Sequence, residues 1–230
     1  MNILECQNIG FVRNKQTILS DLSFAVQSGD SIGIIGPSGS GKSSLFRLLN
    51  LLISPTQGKI LYKNKNIQQS SPTQLRRHIG YILQKPYLFG TKVQENLLYP
   101  YELLGKKPDF EEISSYLDKV KLPQSILEKK NTALSGGEQQ RIALIRSLLI
   151  KPEIILLDEV TAALDEENTL LLENLIVQEQ GLHHLTLLFI THHQEQAKRL
   201  AHKILYLEAG HMTFFGASVD FFGKKGDVYE

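Results

Sequence analysis

Apolar residues along this chain follow two rhythms. Short unbroken runs, Ile32-Gly33-Ile34-Ile35, Ile154-Ile155-Leu156-Leu157 and Leu185 to Ile190, suit strands buried on both faces of a parallel sheet. Other segments carry apolar residues at helical spacing: Lys42 to Leu52, Phe110 to Val120, Gln139 to Ile150, Glu167 to Gln178 and Gln194 to Ala201. Within Gln139 to Ile150, Ile142, Ile145 and Leu149 mark one face. At the start, Ile3 to Ile9 and Leu22 to Val26 read as antiparallel strands about the polar turn Arg13-Asn14-Lys15-Gln16. Further strand segments follow Pro55-Thr56-Gln57-Gly58 and end at Ile79-Gly80-Tyr81-Ile82-Leu83, and Ile204 to Leu207 reads as a late strand. Strands alternating with helices predict an α/β fold, a mostly parallel sheet with flanking helices. From about Thr91 to Ile150 helix dominates, beginning with Val93 to Leu98, and no linker-like composition flanks the stretch. The expectation is a single domain over 1–230 with a helical subdomain, about 91–150, inserted within it.

Composition narrows the classes. With 230 residues, 42% apolar and 21% charged, the chain is ordinary for a soluble globular protein and too apolar for disorder. Lysines and arginines number 25 against 24 acids, and basic pairs such as Arg76-Arg77 and Lys129-Lys130 are scattered, so no nucleic acid is expected as a partner. The single cysteine, Cys6, forms no internal disulfide, which suits a reducing compartment. Met1 to Glu5 lacks the basic and apolar regions of a signal peptide. No apolar run approaches the ~18 residues that span a bilayer; Arg146 interrupts the nearest, Ile142 to Ile150. The expected location is cytoplasmic, with any membrane role exerted through a partner.

The strongest chemical signal is Gly36-Pro37-Ser38-Gly39-Ser40-Gly41-Lys42-Ser43, which fits G-x-x-x-x-G-K-[ST] between a strand and a helix. Backbone N–H groups must converge on phosphates there, and the helix N-terminus adds partial positive charge. Lys42 neutralises the outer phosphates and the Ser43 hydroxyl can ligand Mg²⁺. A P-loop NTPase core is therefore expected. Asp158-Glu159 closes an apolar run, where ligands of open α/β sheets bind. Asp158 can hold Mg²⁺ through its water shell, and Glu159 can orient or deprotonate an attacking water. Guanine specificity is disfavoured, because Asn14-Lys15-Gln16-Thr17 and Asn64-Lys65-Asn66-Ile67 both lack the Asp of Asn-Lys-x-Asp. Ser135 and Glu138 fit the capping box S-x-x-E, while Gly136 and Gly137 at a helix start equally suit a second phosphate; four residues leave both readings open. The pairs His183-His184 and His192-His193 bracket a strand, and eight extended residues span roughly 26 Å, too far to share one metal ion.

The whole octet Leu134-Ser135-Gly136-Gly137-Glu138-Gln139-Gln140-Arg141 resembles the signature of ABC-type ATPases and precedes Asp158 at that family's spacing. The resemblance covers essentially all of the chain. It implies ATP and Mg²⁺ as cofactors, and ATP hydrolysis coupled to transport through a separate multi-helix membrane permease. Gln84 resembles the Q-loop glutamine, implied to touch Mg²⁺ and the water. Ala163-Leu164-Asp165 resembles the D-loop, and His192 the switch histidine that contacts the γ-phosphate. Phe11 stands where the family carries an aromatic that stacks on adenine, with burial for its area alone as the other reading. The family often has Thr after Ser43 and Asp after the switch histidine; here Ser44 and His193 stand there, and Phe11 replaces the commoner tyrosine. None of these departures removes a required chemical group, and Ser44 stays in the expected nucleotide-binding set.

The resemblance further implies a head-to-tail dimer of two copies, each ATP lying between Gly36 to Ser44 of one and Ser135 to Glu138 of the other. The chain would lie on the inner face of the cell membrane, held there by the permease. Tyr87-Leu88-Phe89 suits a groove for a short partner helix, or equally fills the core. Segments outside the shared motifs, Leu88 to Leu97, Leu122 to Leu127 and Arg141 to Arg146, look most like small ATPase subunits of bacterial iron-export systems. An importer ATPase working with an external substrate-binding protein is the alternative within transport. A soluble ABC ATPase acting on DNA or ribosomes is the alternative outside it, disfavoured because no long coiled-coil insertion separates Gln84 from Leu134.

Overall fold

A computed structural model describes residues 2–162 and 164–225. The chain begins with a long antiparallel hairpin, β1 (Asn2–Arg13) and β2 (Gln16–Gln27), longer than the sequence pattern indicates. Its tight turn is Asn14-Lys15, both with positive φ, the backbone twist a two-residue hairpin needs. β4 (Gln57–Tyr62) and β5 (Lys65–Asn66) add to the other edge of β1, so four antiparallel strands stand where two were plainest in the sequence. Cys6 lies in this sheet fully buried, and burial pushes its thiol pKa far above the ordinary thiol value.

A six-stranded sheet carries the rest. Its order is β10 (His211–Ala217), β9 (Lys203–Glu208), β3 (Ser31–Ile35), β8 (Thr186–Ile190), β7 (Ile154–Asp158) and β6 (Ile79–Ile82). All neighbours pair in parallel except β10, which returns antiparallel beside β9. The apolar runs are buried on both faces, and alternate residues serve different cores. Ile154 and Leu156 of β7 join the antiparallel sheet and α1 (Lys42–Leu49), whereas Ile155 and Leu157 join the helices opposite. Register places the carboxyl ends level: Ile34 pairs with Ile190, Ile190 with Asp158, and Leu157 with Ile82. The loops leaving β3, β6, β7 and β8 therefore emerge together along one edge, where a ligand binds in such sheets.

Several boundaries differ from the sequence pattern. α1 stops at Leu49, not Leu52: Asn50 caps it, donating its side-chain amide to the Ile79 carbonyl, and Leu51 turns to positive φ. α2 (Pro72–His78) precedes β6. α3 (Val93–Leu104) runs past Leu98 and through Pro100. α4 (Phe110–Lys119) starts from an Asp109 cap whose carboxylate accepts from Glu112 N–H at 2.9 Å. α5 (Gly136–Leu148) starts three residues earlier than the apolar spacing indicates and stops before Ile150. α6 (Glu166–His183) absorbs His183, read from sequence as a strand-end residue; its Nε2 stands 3.7 Å from the Glu179 carboxylate one turn back. α7 (Gln194–Leu200) agrees to within one residue, and α8 (Ser218–Lys225) with β10 lies beyond anything the periodicity indicated.

Asn96, fully buried in α3, clamps the loop before that helix. Its side chain accepts from Phe89 N–H at 3.1 Å and donates to the Phe89 carbonyl at 3.0 Å, and its Oδ1 also accepts from Arg146 of α5 at 2.8 Å. Asn96→Ala leaves the Phe89 N–H and Arg146 without this partner, while the Phe89 carbonyl keeps the bond that Asn131 Nδ2 donates at 2.8 Å. A loss of about 2–3 kcal/mol is expected, measured by urea unfolding, because unsatisfied buried groups cost more than one net hydrogen bond; a loss below ~0.5 kcal/mol would show that water replaces the clamp.

Candidate functional site

The loop between β3 and α1 cannot carry side chains at two of its glycines. At Gly36, φ is 143° and a Cβ would stand 1.9 Å from the Leu207 carbonyl oxygen. At Gly41, φ is 103° and a Cβ would stand 2.5 Å from Leu19 Cδ2. Lys42, only 6% exposed, folds back over the loop and donates to the carbonyls of Gly36 and Pro37, each at 2.8 Å. Burial draws its pKa below the ordinary lysine value, against the raising pull of Glu159 and Asp158. Ser40 Oγ is buried in the same loop with no hydrogen-bond partner, a polar atom left over inside an anion-shaped cradle.

Four loops bring their side chains to this cradle. Ser43 Oγ donates to Asp158 Oδ1 at 3.0 Å across the sheet edge. Asp158, 5% exposed, has its other oxygen bonded by the Tyr81 hydroxyl at 2.7 Å. Glu159 is held by two neighbours: Gln84 Nε2 donates to Oε2 at 2.7 Å, and His192 Nε2 stands 2.9 Å from Oε1. Glu159 also has φ of 50°, a left-handed conformation that a non-glycine residue adopts at a cost, with its N–H donating to Ile190 O at 3.2 Å. The carboxylate sits between the Gln84 and His192 loops, its side chain 19% exposed. A hydroxyl, a carboxylate and an amide carbonyl within this cluster make an all-oxygen donor set, which fits Mg²⁺ by hardness.

The structure brings together Gly36 to Ser44, Gln84, Asp158, Glu159 and His192 as the sequence indicates. Phe11 lies one strand away: its register partner Leu19 is the side chain that crowds Gly41. Gln84, expected to touch Mg²⁺ and the water, donates its Nε2 to Glu159. Ser135 to Glu138 stand apart, with no hydrogen bond to the loop 36–44 among the described residues. There the capping box is present: Ser135 Oγ accepts from Glu138 N–H at 3.2 Å and the Glu138 carboxylate accepts from Ser135 N–H at 2.8 Å. Partial burial works to raise the Glu138 carboxyl, but the bonds from Ser135 and Lys129 outweigh it and hold its pKa below the ordinary value. Ser135 and Gly136 remain exposed, so the two glycines keep their N–H face open. Asp165 caps α6 by accepting from Asn168 N–H at 2.8 Å; Ala163 of the same motif lies outside the described residues.

Two features of the site, Tyr81 and a polar network, were not readable in the sequence, whereas the groove at Tyr87 to Phe89 was one of its two readings there. Tyr81 carried no signal except its place three residues before Gln84 on a strand. A buried network joins the segment after Glu159 to α7: Gln196 donates to Thr161 Oγ1 at 3.0 Å and to Glu173 at 3.0 Å, and Arg199 bonds Glu173 through Nε and Nη2. It is polar residues at helical positions that fold inward, which periodicity alone reads as solvent-facing. A groove of about 470 Å³ opens beside Gln84, walled by Tyr81, Tyr87, Phe89 and Tyr99 with Arg146 at its base. Tyr87 is 73% exposed; Phe89 meets Tyr99 edge-on at 4.9 Å and carries the Arg146 guanidinium over its face at 5.4 Å.

A family model described as "ABC transporter" matches residues 19–162. The chain is 37% identical over 212 residues to the "Probable iron export ATP-binding protein FetA" of Escherichia coli (strain K12), covering 91% of this chain and 94% of that one. It is 33% identical over 230 residues to the "Phosphate import ATP-binding protein PstB" of Campylobacter jejuni, covering 96% and 93%. Among solved structures it superposes on a bacterial Atm1-family ABC exporter with ATP bound, at a TM-score of 0.85 and 29% identity, covering 97% of this chain and 40% of that one.

Proposed function

Because the chain belongs to the ABC transporter family and is an ATP-hydrolysing subunit of a transporter, we propose that two copies hydrolyse ATP between them to drive a separate multi-helix permease, with metal, iron in particular, moved outward. The observation that carries the ATPase reading is Glu159, raised at the end of β7 with both oxygens engaged, beside the Ser43–Asp158 pair. In this reading Gly36, Pro37, Ser38, Gly39, Ser40, Gly41, Ser43 and Ser44 cradle the phosphates with Lys42, and Phe11 stacks on adenine. Ser135, Gly136, Gly137 and Glu138 of the second copy close on the γ-phosphate, with Asp165 at the contact between copies. A water oxygen bonds to the γ-phosphorus, the bond to the bridging oxygen of ADP breaks, and the water proton passes to Glu159. Gln84 and His192 hold that carboxylate in place.

Ser43, Asp158 and Gln84 are the residues that would hold Mg²⁺, which when bound supplies positive charge to the phosphates. The chain forms one ATP-binding domain over 1–230, with the helical subdomain of about 91–150 inserted. Between that subdomain and the segment Tyr87–Phe89 just before it, the groove receives a short helix of the permease. The permease in turn holds the subunit on the inner face of the membrane. No helix among the described residues is long and apolar enough to cross a membrane. Support for outward metal transport is the relative named for iron export, more similar than the one named for phosphate import.

The test is a tagged pull-down from detergent-solubilised membranes with mass spectrometry of what co-purifies. A small multi-helix permease and no external binding protein is the expected result. A substrate-binding protein alongside the permease would reverse the direction, and ribosomal or DNA proteins in place of a permease would remove the transport role.

A further inference from the structure

Asp158 is a buried carboxylate with no cation within ion-pair distance among the described residues. Among the described residues two hydroxyls bond it, Ser43 on Oδ1 and Tyr81 on Oδ2. Each donor replaces lost water and fixes the direction of the oxygen it holds. Tyr81 comes from β6, whose Tyr81–Leu156 pairing sets the ring beside β7 two residues short of Asp158. The ring itself is anchored edge-on against Phe46 of α1, centroids 6.0 Å apart at 86°.

We propose that Tyr81 is a positioning residue for the metal carboxylate. Its hydroxyl pins Oδ2 and so holds Oδ1 toward Ser43, keeping in place the two groups that would hold the dication. Without it, Asp158 is free to turn about its last torsion, and the metal must first order it. The effect falls on the metal and not on the nucleotide, since Tyr81 shares no hydrogen bond with the loop 36–44 among the described residues. The inference rests on the nucleotide-site reading given above.

Tyr81→Phe keeps the ring and its contact with Phe46 and removes only the hydroxyl. Mn²⁺ binding is followed by electron paramagnetic resonance in the presence of a non-hydrolysable ATP analogue. Half-saturating Mn²⁺ is expected to rise about tenfold, the lower range for one hydrogen bond to a charged group. Binding of a fluorescent ATP analogue in EDTA is expected to match the parent. Half-saturation within twofold of the parent, in a parent that binds Mn²⁺ with nucleotide, overturns the role of Tyr81 alone. Weaker nucleotide binding in EDTA also overturns it, because the hydroxyl would then support the site as a whole. A parent chain that binds no Mn²⁺ with nucleotide overturns the nucleotide-site reading itself.

Discussion

Glu159→Gln is expected to lower ATP turnover about 1000-fold, leave ATP binding intact, and hold two copies together in ATP. The substitution is nearly isosteric, so the left-handed turn at φ of 50° and the contacts to Gln84 and His192 can persist. What it removes is the ability to accept a proton from water, a contribution of about 10²–10⁴ for a placed general base. Unhydrolysed γ-phosphate then remains as the ionic bridge between copies, and the equilibrium moves to the closed pair. Phosphate release measures the first effect and a sizing column run in ATP the second. Turnover reduced less than tenfold, or a variant that stays monomeric with ATP, would sink the assignment of Glu159.

Lys42→Ala is the second large effect and acts a step earlier. The ammonium braces the Gly36 and Pro37 carbonyls, and in the proposed function those same donors transfer to phosphate oxygens when nucleotide binds. Each hydrogen bond to a charged group is worth about 1.5–3 kcal/mol. Loss of two such bonds predicts ATP affinity at least ~100-fold weaker, with no measurable turnover. A fluorescent ATP analogue titration reads it, and thermal unfolding without nucleotide separates it from misfolding, because the exposed mouth of the loop lets water reach the freed carbonyls. Affinity within threefold of the parent would show that the loop N–H groups suffice.

The two variants dissect what the sequence made legible. The strand Ile32 to Ile35, the glycine loop and the following helix were readable because each local signal agrees with the next: an apolar run, then residues free of Cβ, then helical spacing. Asp158 and Glu159 were readable for the same reason, at the end of an all-apolar strand. Tyr81 was not, since its meaning lies in a bond to a residue far along the chain, made only when β6 and β7 align. The end of α1 was missed because Leu51 and Leu52 continue an apolar pattern, while the deciding event is the Asn50 side chain reaching Ile79. α3 runs beyond the apolar spacing of Val93 to Leu98 and through Pro100, because Leu97 and Tyr101 on either side are buried in the core and packing outweighs the lost N–H. β10 and α8 escaped because their aromatic residues, Phe214, Phe215, Phe221 and Phe222, stand in adjacent pairs and obscure both periods.

Cys6 has a practical corollary. A thiol sealed inside β1 and held protonated gives neither alkylating reagents nor oxidants a thiolate to attack. The folded protein is thereby a blank background for site-directed labelling. Ser38→Cys and Ser135→Cys, both at exposed positions, would each introduce the one thiol that reacts. Mixed together, those two single variants should cross-link through a short bifunctional reagent only when two copies meet head to tail, which turns a buried sulfur into a ruler for the geometry of assembly.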